Sequence, residues 1–163
     1  MPSITLNLSN EARKILDYLN DAVYFMDPTD SRFIGVNKKA CDNLGYTREE
    51  LMKLRVIDID PVVNTIEMWR KIVPLEGELP SSIIESIHRR KDGTTFPIEV
   101  SSTEIKEGSV RYLVSIVRDI SERKKFEQEM KQKNEELKHF NSIAVDRELR
   151  MIELKKKIKE LEE

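Results

Sequence analysis

The feature that most constrains this chain is where glycine and proline stop. All five glycines and all six prolines lie within residues 1–120, the last of each being Gly108 and Pro97, and residues 121–163 contain neither. Proline removes a backbone donor and glycine lowers helix propensity by about 1 kcal/mol, so such a stretch lacks the two strongest helix breakers. It carries 12 basic and 11 acidic residues in 43 positions, against 35 charged residues in the preceding 120. Two physically different segments share the chain.

Within the tail, apolar residues return every seventh position. Met130, Leu137, Ala144, Met151 and Ile158 occupy one heptad position, and Phe126, Phe140, Leu154 and Leu161 the other, where Lys133 and Arg147 interrupt the apolar run. Spacing that alternates between four and three is the pattern of a coiled coil. If continuous, the helix runs roughly 60 Å at about 1.5 Å per residue. A solvated single helix held by pairs such as Glu129 with Lys133 and Glu153 with Lys157 is the alternative, but it leaves the seam without a partner. Ile143, Val145, Leu149 and Ile152 lie off the seam, which is therefore weaker in its middle. The simplest assembly is a parallel homodimer whose first contacts are Phe126, Met130, Leu137 and Phe140.

The first 120 residues read as a short N-terminal cap helix (1–20) followed by a globular domain (21–120). Residues 9–20 (SNEARKILDYLN) have Ser9 as N-cap, Glu11 in the first turn and Ile15, Leu16 and Leu19 at helical spacing. Residues 22–27 (AVYFMD) and 32–36 (RFIGV) are β-prone and separated by a turn, which predicts a hairpin. Residues 37–44 and 49–54 carry helical spacing, with Gly45 as a C-terminal stop and Thr47 with Glu50 as a capping box. Residues 66–73 are a further helix candidate. Residues 82–90, 94–105 and 110–118 are β-rich and joined by Lys91-Asp92-Gly93 and by Lys106-Glu107-Gly108-Ser109, which predicts a three-stranded meander. In the middle run Phe96, Ile98 and Val100 alternate with Pro97, Glu99 and Ser101, one face dry and one wet. The order predicts an α+β domain with an antiparallel sheet and helices on one face, followed by a long C-terminal helix.

The pieces AVYFMDP, VNKKACDNLGYTREEL, HRRKDGTTFPIEVS and VSIVRDISERKKFEQ, in this order, resemble successive landmarks of a PAS sensor domain with its C-terminal PAC-type motif, as in bacterial or archaeal sensor proteins. The resemblance covers about residues 20–126. It implies a five-stranded antiparallel sheet in the order 2-1-5-4-3 whose concave face and flanking helices enclose a small cavity. It also implies that Asp119, Ser121 and Arg123 form the junction between the last strand and an outgoing signalling helix, with Asp119 pairing Arg123. Serine stands where the family more often has threonine, and either hydroxyl caps a helix. Without that role, Asp119 and Arg123 would be an ordinary exposed pair worth at most about 1 kcal/mol.

Signs of enzymatic chemistry are thin. His88, His139 and the single Cys41 show no metal-ligand spacing. In IHRRKDG, His88 is expected to face solvent, and the basic run Arg89-Arg90-Lys91 to be a solvated cluster. His139, in EELKHFNSIAVDREL, lacks the pattern of a kinase phosphoacceptor and reads as a coiled-coil flank. Cys41 lies upstream of where flavin photoreceptors of this family carry their reactive cysteine, and the helix around Met68-Trp69-Arg70 has no histidine where haem-binding relatives have one. Covalent flavin chemistry and haem are therefore not expected, and any cofactor is undefined. A small organic ligand would sit among Tyr24, Met26, Met68, Trp69 and Tyr112, residues that serve equally as plain core.

With a net charge of −2, one cysteine, no run of 18 apolar residues and no leader pattern, the chain reads as cytoplasmic, without membrane insertion or nucleic-acid binding. The function expected is signal sensing, with dimerisation and conformational relay through the C-terminal helix and no catalysis by this chain. The alternatives are the sensory portion of a longer two-component histidine kinase or cyclic-dinucleotide enzyme, which the mid-helix end at Glu162-Glu163 favours, and a ligand-free interaction adaptor. Replacing Leu137 by a charged residue is expected to lower the apparent mass in light scattering; an unchanged dimer would place the contact elsewhere, for instance on residues 9–20.

Overall fold

The computed structural model describes residues 8–74, 83–108 and 110–162. Residues 1–7, the expected strand start at Ser82, and Ser109 of the second hairpin lie outside the described residues, as does the side chain of Leu161. The chain divides into two compact units, residues 1–121 and 122–163.

In the first unit the order is α1 (Asn10–Asp17), β1 (Ala22–Met26), β2 (Phe33–Val36), α2 (Lys38–Leu44), α3 (Arg48–Leu51), α4 (Val56–Ile59), α5 (Ile66–Ile72), β3 (Ile83–Arg89), β4 (Thr95–Glu107) and β5 (Val110–Asp119). The strands form one antiparallel sheet in the order β2-β1-β5-β4-β3, as the resemblance implied. Strand parity sorts the side chains into two faces. Ala22, Tyr24 and Met26 of β1, Phe96 and Ile98 of β4 and Leu113 and Val117 of β5 point inward, where they pack with Ala40, Leu44, Leu51, Ile59 and Trp69 of the helices. Val23, Phe25 and Ile34 face the other way and pack with Leu8 and Leu16, so α1 covers part of the outer face. The expectation of helices on one face holds for α2 to α5, while the cap helix α1, read separately from them, packs on the outer face.

Local chemistry explains where the helices start and stop. Ser9, Asn37, Thr47 and Thr65 each accept a backbone N–H of the first turn that follows. Thr47 and Glu50 form the expected reciprocal box. Gly45 ends α2 at φ 75°, a conformation that costs glycine nothing. The single-turn α4 had no periodicity to reveal it; Asp58, bonded back to the amide of Arg55 at 2.8 Å, starts it.

Asn37 binds three elements together. It is 1% exposed; its Oδ1 accepts from Val23 N–H at 2.9 Å and Ala40 N–H at 3.0 Å, and its Nδ2 donates to the carbonyls of Leu16 and Asp21, both at 3.0 Å. One side chain therefore caps α2, joins β1 and anchors the end of α1.

The second unit is α6 (Ser121–Glu162), a helix of 42 residues. Phe126, Met130, Leu137 and Phe140 are each well over half exposed. Among the described residues no helix is long and apolar enough to cross a membrane.

Replacing Asn37 with alanine strands two buried amides and two carbonyls, so unfolding stability is expected to fall by about 2–4 kcal/mol. Urea denaturation followed by circular dichroism measures this, and an unchanged midpoint would show that water replaces the amide without loss.

Candidate functional site

The inner face of the sheet does not meet the helices everywhere. Between them lies a cavity of about 60 Å³ lined from β1 by Tyr24 and Met26, from β3 by Ile84, Ser86 and His88, from β4 by Val100 and Ser102, from β5 by Ser115 and Val117, and from the helical side by residues including Asp60, Trp69 and Val73. The walls are mostly apolar, with six side chains, Tyr24, Asp60, Ser86, His88, Ser102 and Ser115, that bring polar atoms to them.

Asp60 follows α4 and is 4% exposed. Its Oδ1 accepts from Val62 N–H at 2.7 Å and Val63 N–H at 2.9 Å, turning the chain toward α5, while its Oδ2 accepts from the Ser86 hydroxyl at 2.7 Å. Ser102 and Ser115, directly paired across β4 and β5, share a hydroxyl hydrogen bond of 2.6 Å. The Tyr24 phenol lies 3.5 Å from His88 Nδ1, and the two rings stack at 5.8 Å. Burial pushes the Tyr24 phenol above its ordinary range. Burial also pulls His88 down to about 4, against the opposing field of Asp60, so the imidazole is neutral near pH 7.

The expected cavity residues divide. Tyr24, Met26 and Trp69 line it, and Trp69 is held by donation from Nε1 to the Pro28 carbonyl at 2.9 Å. Met68 is 42% exposed, and Tyr112 stands on the outer face against Phe25. Trp69 and Met68 are neighbours on one helix and cannot both face inward. Tyr112 fails by parity, since Leu113 and Ser115 take the inner positions of β5.

His88 corrects the sequence reading more sharply: it is 2% exposed rather than solvent-facing. Its own strand, IIESIHR, does not alternate cleanly, but the register through the Lys91-Asp92-Gly93 turn places His88 opposite Phe96, already assigned to the dry face. That pairing was the signal available. Asp60, Ser86, Ser102 and Ser115 carried none, because serine and aspartate in isolation mark turns and wet faces. The basic run is also not merely solvated. Arg89 donates to the Asp58 carbonyl at 2.9 Å, Lys91 to Glu50 at 2.7 Å, and Arg90 to the Asn43 carbonyl.

A line of contacts leads from the cavity to the end of β5. His88 meets Phe96 edge-on at 6.1 Å, the Arg90 guanidinium lies 3.8 Å from the centre of the Phe96 ring, and Arg90 reaches the Asp119 carboxylate at 3.4 Å. Asp119 in turn accepts from Ser121 N–H, the first residue of α6, at 2.9 Å. Arg123, one turn into α6, has its Nε 3.8 Å from Glu127. Cys41 packs against the core without lining the cavity, and burial raises its thiol pKa. Among the described residues no group of three metal-ligating side chains occurs.

A five-stranded antiparallel sheet in this order, with helices enclosing a cavity on its inner face, is the architecture of a small sensory domain. The PAS domain matches residues 20–122, and the chain belongs to that family. It is 34% identical over 118 residues to the methyl sulfide methyltransferase-associated sensor of Methanosarcina acetivorans, a match covering 72% of this chain and 12% of that protein. The chain thus corresponds to a small part of that relative's length. Among solved structures it is similar to the PAS domain of an HTR-like protein from Haloarcula marismortui (TM-score 0.61, 21% identity, 68% of this chain and 89% of that one). It is also similar to the PAS domain of a two-component sensor histidine kinase (TM-score 0.58, 23% identity, 67% and 93%).

The histidine makes a pH prediction. Its folded pKa of about 4 lies below the ordinary 6.5, so the unfolded chain binds the proton first as pH falls. The stability of the neutral buried form is complete above pH 6.5 and is lost toward pH 4; by pH 5 the loss is about 2 kcal/mol. Urea midpoints at pH 7.5 and pH 5 should differ less in His88→Phe than in the parent chain; equal differences would refute the assignment.

Proposed function

We propose that this chain is a sensory module in which occupancy of the sheet cavity alters the junction at Asp119, Ser121 and Arg123, and that α6 carries the change as one strand of a homodimeric coiled coil. The observation that supports it is the continuous path His88, Phe96, Arg90, Asp119, Ser121, in which each step is a packed ring, a cation over a ring or a hydrogen bond. A ligand that moves His88 must displace Phe96 or lose its ring contact, and Arg90 is held by Phe96 and Asp119 together. Relay of this kind needs two arrangements to which the ligand binds unequally. Arg90, Asp119 and Ser121 are positioning residues here, because none of them lines the cavity.

Dimerisation rests on the exposed seam of Phe126, Met130, Leu137 and Phe140, since an isolated helix with such residues in water gains little from propensity alone. Ile15 of α1, Tyr18 just after it, and Ile83 and Ile116 of the outer sheet face are exposed as well and offer a second surface for the pair of subunits. A chain whose one cysteine cannot form an internal disulfide suits a reducing compartment such as the cytoplasm.

The relative's role as a sensor, its much greater length and the histidine-kinase neighbour favour a second, compatible reading. In it this non-catalytic module governs an output domain of kinase or cyclic-dinucleotide type in a longer protein.

Native mass spectrometry of the purified chain should show a retained small molecule that is absent from a cavity-filled Ser102→Phe variant; a ligand-free spectrum would instead favour the adaptor reading. For the relay, Arg90→Ala should speed hydrogen exchange in the first turn of α6 roughly fivefold, the equivalent of about 1 kcal/mol. Unchanged exchange there would break the proposed path at Arg90.

A further inference from the structure

The chemistry of the cavity wall narrows its occupant, on the sensory reading above. Asp60 is a buried carboxylate whose three hydrogen-bond donors among the described residues are two backbone amides and the Ser86 hydroxyl, all uncharged. A carboxylate offers about four acceptor positions, so at least one remains. Among the described residues no lysine or arginine lines the cavity or pairs with Asp60, and the one titratable base on the wall, His88, is neutral. An enclosed carboxylate without a cation is costly, and an anionic ligand would add a second negative charge to the same space.

The other polar atoms are also able to accept: the paired hydroxyls of Ser102 and Ser115, the Tyr24 phenol and the imidazole of His88. The rest of the wall is hydrocarbon and indole, from residues including Trp69, Ile84 and Val100. A volume of about 60 Å³ is about four to six times the roughly 10–15 Å³ that one water needs, so the space suits a molecule of about four to six heavy atoms. We infer that the cavity binds a short alkylammonium ion, its nitrogen donating to Asp60 and the neighbouring hydroxyls and its carbon chain lying against Trp69, Ile84 and Val100. The ammonium brings three donors to a wall of acceptors and neutralises the carboxylate.

Calorimetric titration of the full chain at pH 7 with n-butylammonium chloride, 1-butanol and sodium butyrate tests this, because the first two have the same number of heavy atoms and differ in charge. Butylammonium should bind at least tenfold more tightly than butanol, with butyrate not binding. Asp60→Asn should abolish that preference, and Ser102→Phe, which fills the cavity without touching the carboxylate, should abolish binding of every probe; circular dichroism checks that both variants are folded. Equal binding of butanol or butyrate, or a preference that survives Asp60→Asn or persists in Ser102→Phe, would overturn the assignment. If the probes fail while native mass spectrometry still finds a retained molecule of another class, the ammonium proposal falls and the sensory reading stands. If no probe binds and nothing is retained, both fall.

Discussion

Four hydrogen bonds from one buried amide, that of Asn37, set the place where the layers of this domain meet. β1 lies between β2 and β5, α2 opens the helical layer on the inner face, and α1 lies on the outer one. Because Asn37 bonds to all three, β1 cannot shift along its neighbours without losing the cap of α2. The amide suits the position because it offers two donors beside an acceptor oxygen, whereas a hydroxyl has a single donor and a carboxylate none.

The cavity follows from that frame. Helices α4 and α5 are short and separated by the Asp60 turn, so they cannot cover the whole inner face, and the gap falls beside β3, β4 and β5. Polar side chains are tolerated there because each has a partner: Ser102 with Ser115, Ser86 with Asp60, Tyr24 beside His88. A polar group placed in such a wall without a partner would cost more than it contributes, which makes this part of the core specific in shape as well as in charge. The same β3 strand that brings His88 to the cavity brings Arg90 to the hairpin, where one guanidinium touches Phe96, the end of α2 and Asp119.

Much of the fold was legible. Capping residues Ser9 and Thr47, the stop at Gly45 and the Asp92-Gly93 turn act through their immediate neighbours, so their effect is written within a few residues. The heptad run without glycine or proline likewise predicted the long α6. What escaped was α4, too short to show a period, and the covering of the outer face by α1, which depends on where Leu16 arrives in space.

The site was legible only in part, for a physical reason. Sequence alone determined that two kinds of segment are joined near residue 120 and that the first is an antiparallel α+β domain, and it offered Tyr24, Met26, Met68, Trp69 and Tyr112 for its interior without separating them. These depend on composition and on period. Only the tertiary structure decided that Met68 and Tyr112 turn away, that His88 is buried and neutral, and that Asp60 comes to stand beside Ser86, 26 residues on. Strand register and the bend of a turn bring those groups together, and apart from the Asp92-Gly93 hairpin that sets His88 opposite Phe96, neither leaves a pattern in the residues nearby.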